Sequence, residues 1–110
     1  MSPSELLERY VLLHNYGVAS LDFEPLFELF ADDAVFQFKD PRIGTFEGLE
    51  TIRGVFRRQG PSQAIIVKNI METQNTATAD YTDVANPEMR PGSISVESDG
   101  RRITRVYISK

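Results

Sequence analysis

Residues 29–41 read LFADDAVFQFKDP, and the change of rhythm inside this stretch decides what kind of fold the chain makes. On its N-terminal side, Phe23, Leu26, Phe27 and Phe30 recur at helical spacing. They predict a helix that starts near Asp22, carries Pro25 in its first turn and ends at Ala31-Asp32-Asp33. From Ala34 to Lys39 the period drops to two, with Phe36 and Phe38 on one face and Val35 and Gln37 on the other. That pattern predicts a strand, which Asp40-Pro41 breaks.

Working outward, the same two rhythms stay segregated along the chain. Ser2-Pro3-Ser4-Glu5 has the order of a capping box with proline at the first helical position. Leu6, Tyr10, Leu13, His14 and Gly17 follow at helical spacing, Leu7 and Val11 widen the stripe, and Gly17 is the expected stop. Gly44–Gly48 reads as a loop into a third helix, Leu49–Arg58, which buries Leu49, Ile52, Val55 and Phe56 and stops at Gly60-Pro61. Beyond it the chain reads as strands 64–72, 76–84, 93–97 and 103–109, joined by turns at Thr73–Asn75, in the proline-rich stretch 86–92 and at Ser98-Asp99-Gly100. Helices first and hairpin-linked strands last predict an α+β fold with an antiparallel sheet. Three helices cannot cover both faces of four or five strands. A curved sheet wrapped around three N-terminal helices solves this, encloses a conical pocket and leaves an outer face suited to a homodimer.

Composition narrows the function. The 110 residues make one domain, 1–110, and Leu, Ile, Val and Phe supply 31 of them, enough for a core without staples. With no cysteine and one histidine, a disulfide framework, a thiol nucleophile and a Cys- or multi-His metal site are excluded, and neither metal nor organic cofactor is expected. No apolar run reaches the roughly 18 residues of a membrane span, and the N-terminus lacks signal-peptide order, so the expectation is a cytoplasmic protein without a membrane partner. The net charge of −4 is uneven: residues 1–50 carry ten acids and three bases, residues 51–110 six acids and nine bases. The bases at Arg53, Arg57 and Arg58 and at Arg101, Arg102 and Arg105 are scattered, with no aromatic platform among them, which argues against nucleic acid.

The ordered set of Arg9-Tyr10, Asn15-x-Gly17, Leu29–Val35, Gly48-x-Glu50-x-Ile52-Arg53 and Asp99–Ile103 resembles the nuclear transport factor 2-like superfamily, in particular its SnoaL-like and ketosteroid-isomerase-like branch. The resemblance spans the whole chain and implies that family's cystatin-like roll. In the isomerase branch a tyrosine on the first helix donates to a developing oxyanion, a carboxylate after the first strand moves a proton, and a protonated aspartate on a later strand assists. Tyr10 matches the tyrosine. Asp40-Pro41 resembles the base-bearing pair, two residues further along and therefore on the same strand face. The third position falls near Gly92, where no carboxylate stands.

The candidate catalytic residues are Tyr10, His14 and Asp40, and the candidate ligand-binding residues Phe36, Phe38, Phe56 and Tyr81. Tyr10 reads either as a core tyrosine or as a hydrogen-bond donor in a pocket. His14, one turn on, reads as a buried core histidine or as an acid/base near neutral pH. Asp40 reads as a turn residue or as a base whose pKa is raised by Phe36, Phe38 and Phe46. In strand 76–84, Tyr81 shares a face with Ala79 and Asp83, Asp80 shares the other with Thr78 and Thr82, and which face meets the helices is open. Arg105 and Tyr107 share a face on the last strand, suited to an acidic ligand or a dimer surface. Three functions fit: proton transfer on a hydrophobic small molecule, ligand binding without turnover, or a homodimerising module whose pocket its own aromatics fill.

Overall fold

The computed structural model describes residues 1–110. Helix α1 spans Pro3–Ser20, opened by the expected capping box: Ser2 Oγ accepts from Glu5 N–H, and the Glu5 carboxylate accepts from Ser2 N–H. The helix does not stop at Gly17. It continues to a left-handed C-cap at Leu21 (φ 64°), and Gly17 serves close packing instead, since a Cβ there would land inside the ring of Phe23. Helix α2, Glu24–Phe27, is a single turn. Strand β1 then begins at Phe30 and runs to Phe38, so Ala31-Asp32-Asp33 belongs to the strand and not to a helix end. A register shift between Phe30 and Val35 hides the alternation there.

The predicted loop 44–48 contains a short edge strand, β2 (Thr45–Glu47), laid antiparallel on β1. Helix α3 (Leu49–Gln59) follows, then β3 (Ile65–Glu72), β4 (Thr76–Asp83), β5 (Gly92–Ser98) and β6 (Ile103–Ser109). These fall within a residue or two of the expected spans. The sheet order is β2-β1-β6-β5-β4-β3. Every neighbouring pair is antiparallel except β1 and β6, which run parallel, so the sheet is mixed.

Helix α1 crosses β3, β4 and β5, while α3 covers β1 and β2, all on one face. That face carries the core: Ala34 and Phe36 of β1, Ala77 and Ala79 of β4, Ile94 and Val96 of β5 and Val106 of β6 are buried. The alternation settles strand β4, where Ala77, Ala79 and Tyr81 point inward and Thr78, Asp80 and Thr82 outward. Register shifts in β1, in β3 between Lys68 and Met71, and between Glu97 and Ser98 bend the sheet around the helices. At the β3 shift Asn69 adopts φ 58°, and its amide donates to Asp80 Oδ2 at 2.9 Å.

Candidate functional site

The hollow of the curved sheet holds two adjoining chambers. The first, about 220 Å³, is walled by Phe36 and Phe38 of β1, Phe46 of β2 and Ile52, Val55 and Phe56 of α3. Each is the inward position of its element, so the alternation that makes β1 a strand also paves this wall. Phe56 meets Phe36 edge-on at 5.8 Å and is held from behind by Phe23 and Phe27 at 5.2 and 5.3 Å. Phe38 and Phe46 meet edge-on at 6.4 Å.

Tyr10 and His14 stand one turn apart on α1 and line this chamber, their rings 5.9 Å apart and 30° from parallel. They are 1% and 6% exposed, yet neither Tyr10 Oη nor His14 Nε2 has a hydrogen-bond partner within the chain. Neither atom is sealed in protein; the one sealed side-chain polar atom without a hydrogen bond is Arg53 Nε, which lies 3.5 Å from Glu24 Oε2. Both atoms therefore open on the cavity.

The tautomer of His14 follows from its neighbour. Asn15 Nδ2 donates to Ile65 C=O at 2.8 Å and Asn15 Oδ1 accepts from Ile65 N–H at 2.9 Å, which fixes the amide and ties α1 to β3. The group facing His14 Nδ1 at 3.0 Å is thus an acceptor, so Nδ1 carries the proton and Nε2 keeps its lone pair. Burial lowers the pKa of His14 below its usual 6.5, opposed by the Asn15 contact and by the negative charge of Asp83. The imidazole is neutral at pH 7. Burial pushes the Tyr10 phenol far above its usual range, with Tyr81 adding to the rise, so Tyr10 is a donor and not a phenolate.

The second chamber, about 200 Å³, shares Tyr10, His14, Phe38, Pro61 and Ile108 with the first. Its other wall is more polar, with Gln63, Tyr81 and Asp83. Tyr81 lies across Gly92, where a Cβ would sit 2.6 Å from its ring, so the missing side chain at 92 makes room for the phenol. No hydrogen bond or salt bridge takes up the Asp83 carboxylate or the Tyr81 hydroxyl.

Of the candidate residues, the fold gathers Tyr10, His14, Phe36, Phe38 and Phe56 around the first chamber and places Tyr81 in the second. Asp40 lines neither chamber. It lies in an open groove that shares Phe38, Tyr81 and Ile108 with the second chamber, and there Oδ1 accepts from Arg42 N–H at 2.9 Å and Oδ2 pairs with Arg42 Nη2 at 2.9 Å. That pairing lowers its pKa, the reverse of the rise expected from the phenylalanines, because the turn that Pro41 imposes hands the carboxylate to Arg42. Arg105 and Tyr107 lie on the outer face, where Arg105 donates to Gln37 Oε1 at 2.7 Å and pairs with Glu97 at 3.2 Å. Alternation along β4 put Asp83 on the face of Tyr81 and Ala79, but gave it no role in the site, and the hydrogen-bonding role of Asn15 was missed. The signal for Asn15 was its place beside the only histidine. No three of the histidine and carboxylate side chains form a metal-binding group. No helix is long and apolar enough to cross a membrane.

No protein-family model and no curated protein matches the sequence. Solved structures match its shape. A nuclear transport factor 2-like protein of Anabaena variabilis superposes with a TM-score of 0.74 at 14% identity, over 96% of this chain and 87% of that one. A SnoaL-like protein of Burkholderia thailandensis gives 0.70 at 12% identity, over 98% and 97%. A Sinorhizobium meliloti protein, provisionally titled a polyketide cyclase, gives 0.66 at 16% identity, over 92% and 94%. The chain has the nuclear transport factor 2-like fold, as the resemblance implied. At these identities the likeness is one of fold alone.

Proposed function

We propose that the chain binds a small hydrophobic molecule in the paired chambers and moves a proton on it, with His14 as the base and Tyr10 as the donor to the oxygen that gains charge. One observation carries this reading: a buried phenol and a buried neutral imidazole, one helical turn apart, each leave their functional atom unpaired at the wall of the same apolar cavity. Both atoms reach the cavity surface, where a donor or acceptor of a ligand can meet them.

The chemistry follows from the two atoms. A carbonyl oxygen that accepts from Tyr10 Oη acidifies the adjacent C–H; His14 Nε2 takes that proton, and electron density moves onto the oxygen, where the Tyr10 hydrogen bond stabilises the enolate. Asn15 Oδ1 and the charge of Asp83 stabilise the imidazolium that forms. Returning the proton to another carbon completes an isomerisation. Attack of the enolate carbon on a second carbonyl of the same molecule completes a cyclisation. A cavity of about 150 Å³ holds benzene, so the first chamber suits one or two rings rather than four.

The test is α-proton exchange of 2-indanone in D2O, followed by NMR with the full chain. Exchange above the buffer rate, lost in His14→Gln with the fold intact, supports the reading. Saturable binding without exchange supports a binding protein that does not turn its ligand over. Separately, Ile66 and Met71, 45% and 74% exposed, stand on the outer face, and we propose a second copy of this chain as its partner; a monomeric mass in light scattering at micromolar concentration refutes that.

A further inference from the structure

The two chambers, which share Tyr10 and His14, differ in chemistry. On one side the wall is four phenylalanine rings, an isoleucine and a valine. On the other, the carboxylate of Asp83 and the phenol of Tyr81 stand with no partner in the chain. The proton-transfer reading uses Asp83 only through its charge and does not use Tyr81 at all. A carboxylate is an acceptor with no donor of its own, and it pairs best with a cation or a strong hydrogen-bond donor. The face of a tyrosine ring attracts cations as well. A carboxylate beside a phenol ring at the end of an apolar channel is the chemistry that recognises an alkylammonium group.

We propose that the ligand is a ring compound with a short arm ending in a protonated amine. The ring occupies the phenylalanine chamber, the arm runs past Tyr10 and His14, which line both chambers, and the ammonium is held by Asp83 against the ring of Tyr81. The inference rests on the cavity being the ligand site. It adds what that reading leaves open, the chemical class of the far end of the ligand. It also orients the ligand, since the carbon next to the arm then lies nearest the two unpaired atoms. Gly92 belongs to this arrangement: any side chain there displaces Tyr81 and narrows the second chamber.

The experiment titrates the isotope-labelled full chain at pH 7 with toluene, 2-phenylethanol and 2-phenylethylamine, which share a ring and differ at the end of the arm. The amine is expected to bind at least about tenfold more tightly than the alcohol or toluene, with signals of Tyr81 and Asp83 shifting only for the amine. In Asp83→Asn the amine falls to the affinity of the alcohol, while toluene binds as before, which also shows that the variant is folded. Gly92→Ala weakens the amine and spares toluene. Equal binding of all three, or tightest binding by the alcohol, overturns the ammonium assignment and leaves the cavity reading standing. No binding by any of them overturns both.

Discussion

The two faces of the sheet treat their polar groups in opposite ways. On the outer face, which is partly open to solvent, several pair with one another: Thr78 with Ser95 at 2.9 Å, Asn69 with Asp80 at 2.9 Å, Arg105 with both Gln37 and Glu97. Over the inner face, Tyr10 Oη and His14 Nε2 of α1 have no partner in the chain and open on the cavity. A donor and an acceptor held free at an apolar wall are what a ligand site requires.

The sharpest way to break this contrast is to remove the inner groups one at a time. His14→Gln is expected to lower ketone exchange by on the order of 10³-fold, the upper part of what a positioned base contributes, with little loss of stability. Tyr10→Phe is expected to cost on the order of 10²-fold in the same NMR assay. Its melting temperature is expected to change little, because no hydrogen bond within the chain is lost. A clear fall in the stability of Tyr10→Phe would show that the hydroxyl is paired after all.

Asn15→Ala removes both hydrogen bonds to Ile65 and the acceptor that sets the His14 tautomer. About 1–3 kcal/mol of stability in urea denaturation and most of the exchange activity are expected to go together. Asn15→Asp keeps an oxygen for Nδ1 and for Ile65 N–H but loses the donor to Ile65 C=O, and its added negative charge is expected to move the pH–rate profile to higher pH.

Acid titration sharpens the contrast further. His14 is buried neutral with its folded pKa below 6.5, so below that pH the unfolded chain takes up protons that the folded chain resists. Stability is full above about pH 6.5 and falls as the pH drops through the range between the unfolded and folded values. His14→Gln is expected to flatten that limb. It leaves the steeper loss below about pH 4.5, where Glu5, Glu72, Asp40 and Asp99, all held low by hydrogen bonds, take up protons. The smallest effect belongs to the outer face. Thr78→Val breaks the pair with Ser95 and is expected to cost about 0.5–1.5 kcal/mol with exchange unchanged.

Much of the fold was legible because its signals are local. The capping box at Ser2 and Glu5, the stripe of α3 and the hairpin turns all lie within a few residues of what they determine. Two things were not local. The parallel contact of β1 with β6 leaves no mark in either strand, since alternation is the same whichever way a neighbour runs. The shift at Ala31-Asp32-Asp33 disguises a strand as a helix end, because the bulge breaks the period there. The site divides in the same way. Tyr10 and His14 were legible as an i, i+4 pair on one helix. Asp40 looked like a base because its pull toward Arg42 is a property of the folded turn. Asp83 was legible as a face-mate of Tyr81, but its approach to His14 was not, because only the packing of α1 over the end of β4 brings the two together.

The parallel seam has a consequence for how the molecule assembles. Strands β3 to β6 are joined in order by short connections and zip as successive hairpins, whereas Phe36 meets Val106 only after about seventy intervening residues have been closed into a loop. The hairpin half is therefore expected to form first, with β1 and α3 docking on it afterwards. Phe36 and Phe38 stand on one side of that seam and Ile108 on the other. The chamber is then expected to close late in folding, and in pulse-labelled hydrogen exchange the amides of β1 are expected to gain protection after those of β4 and β5.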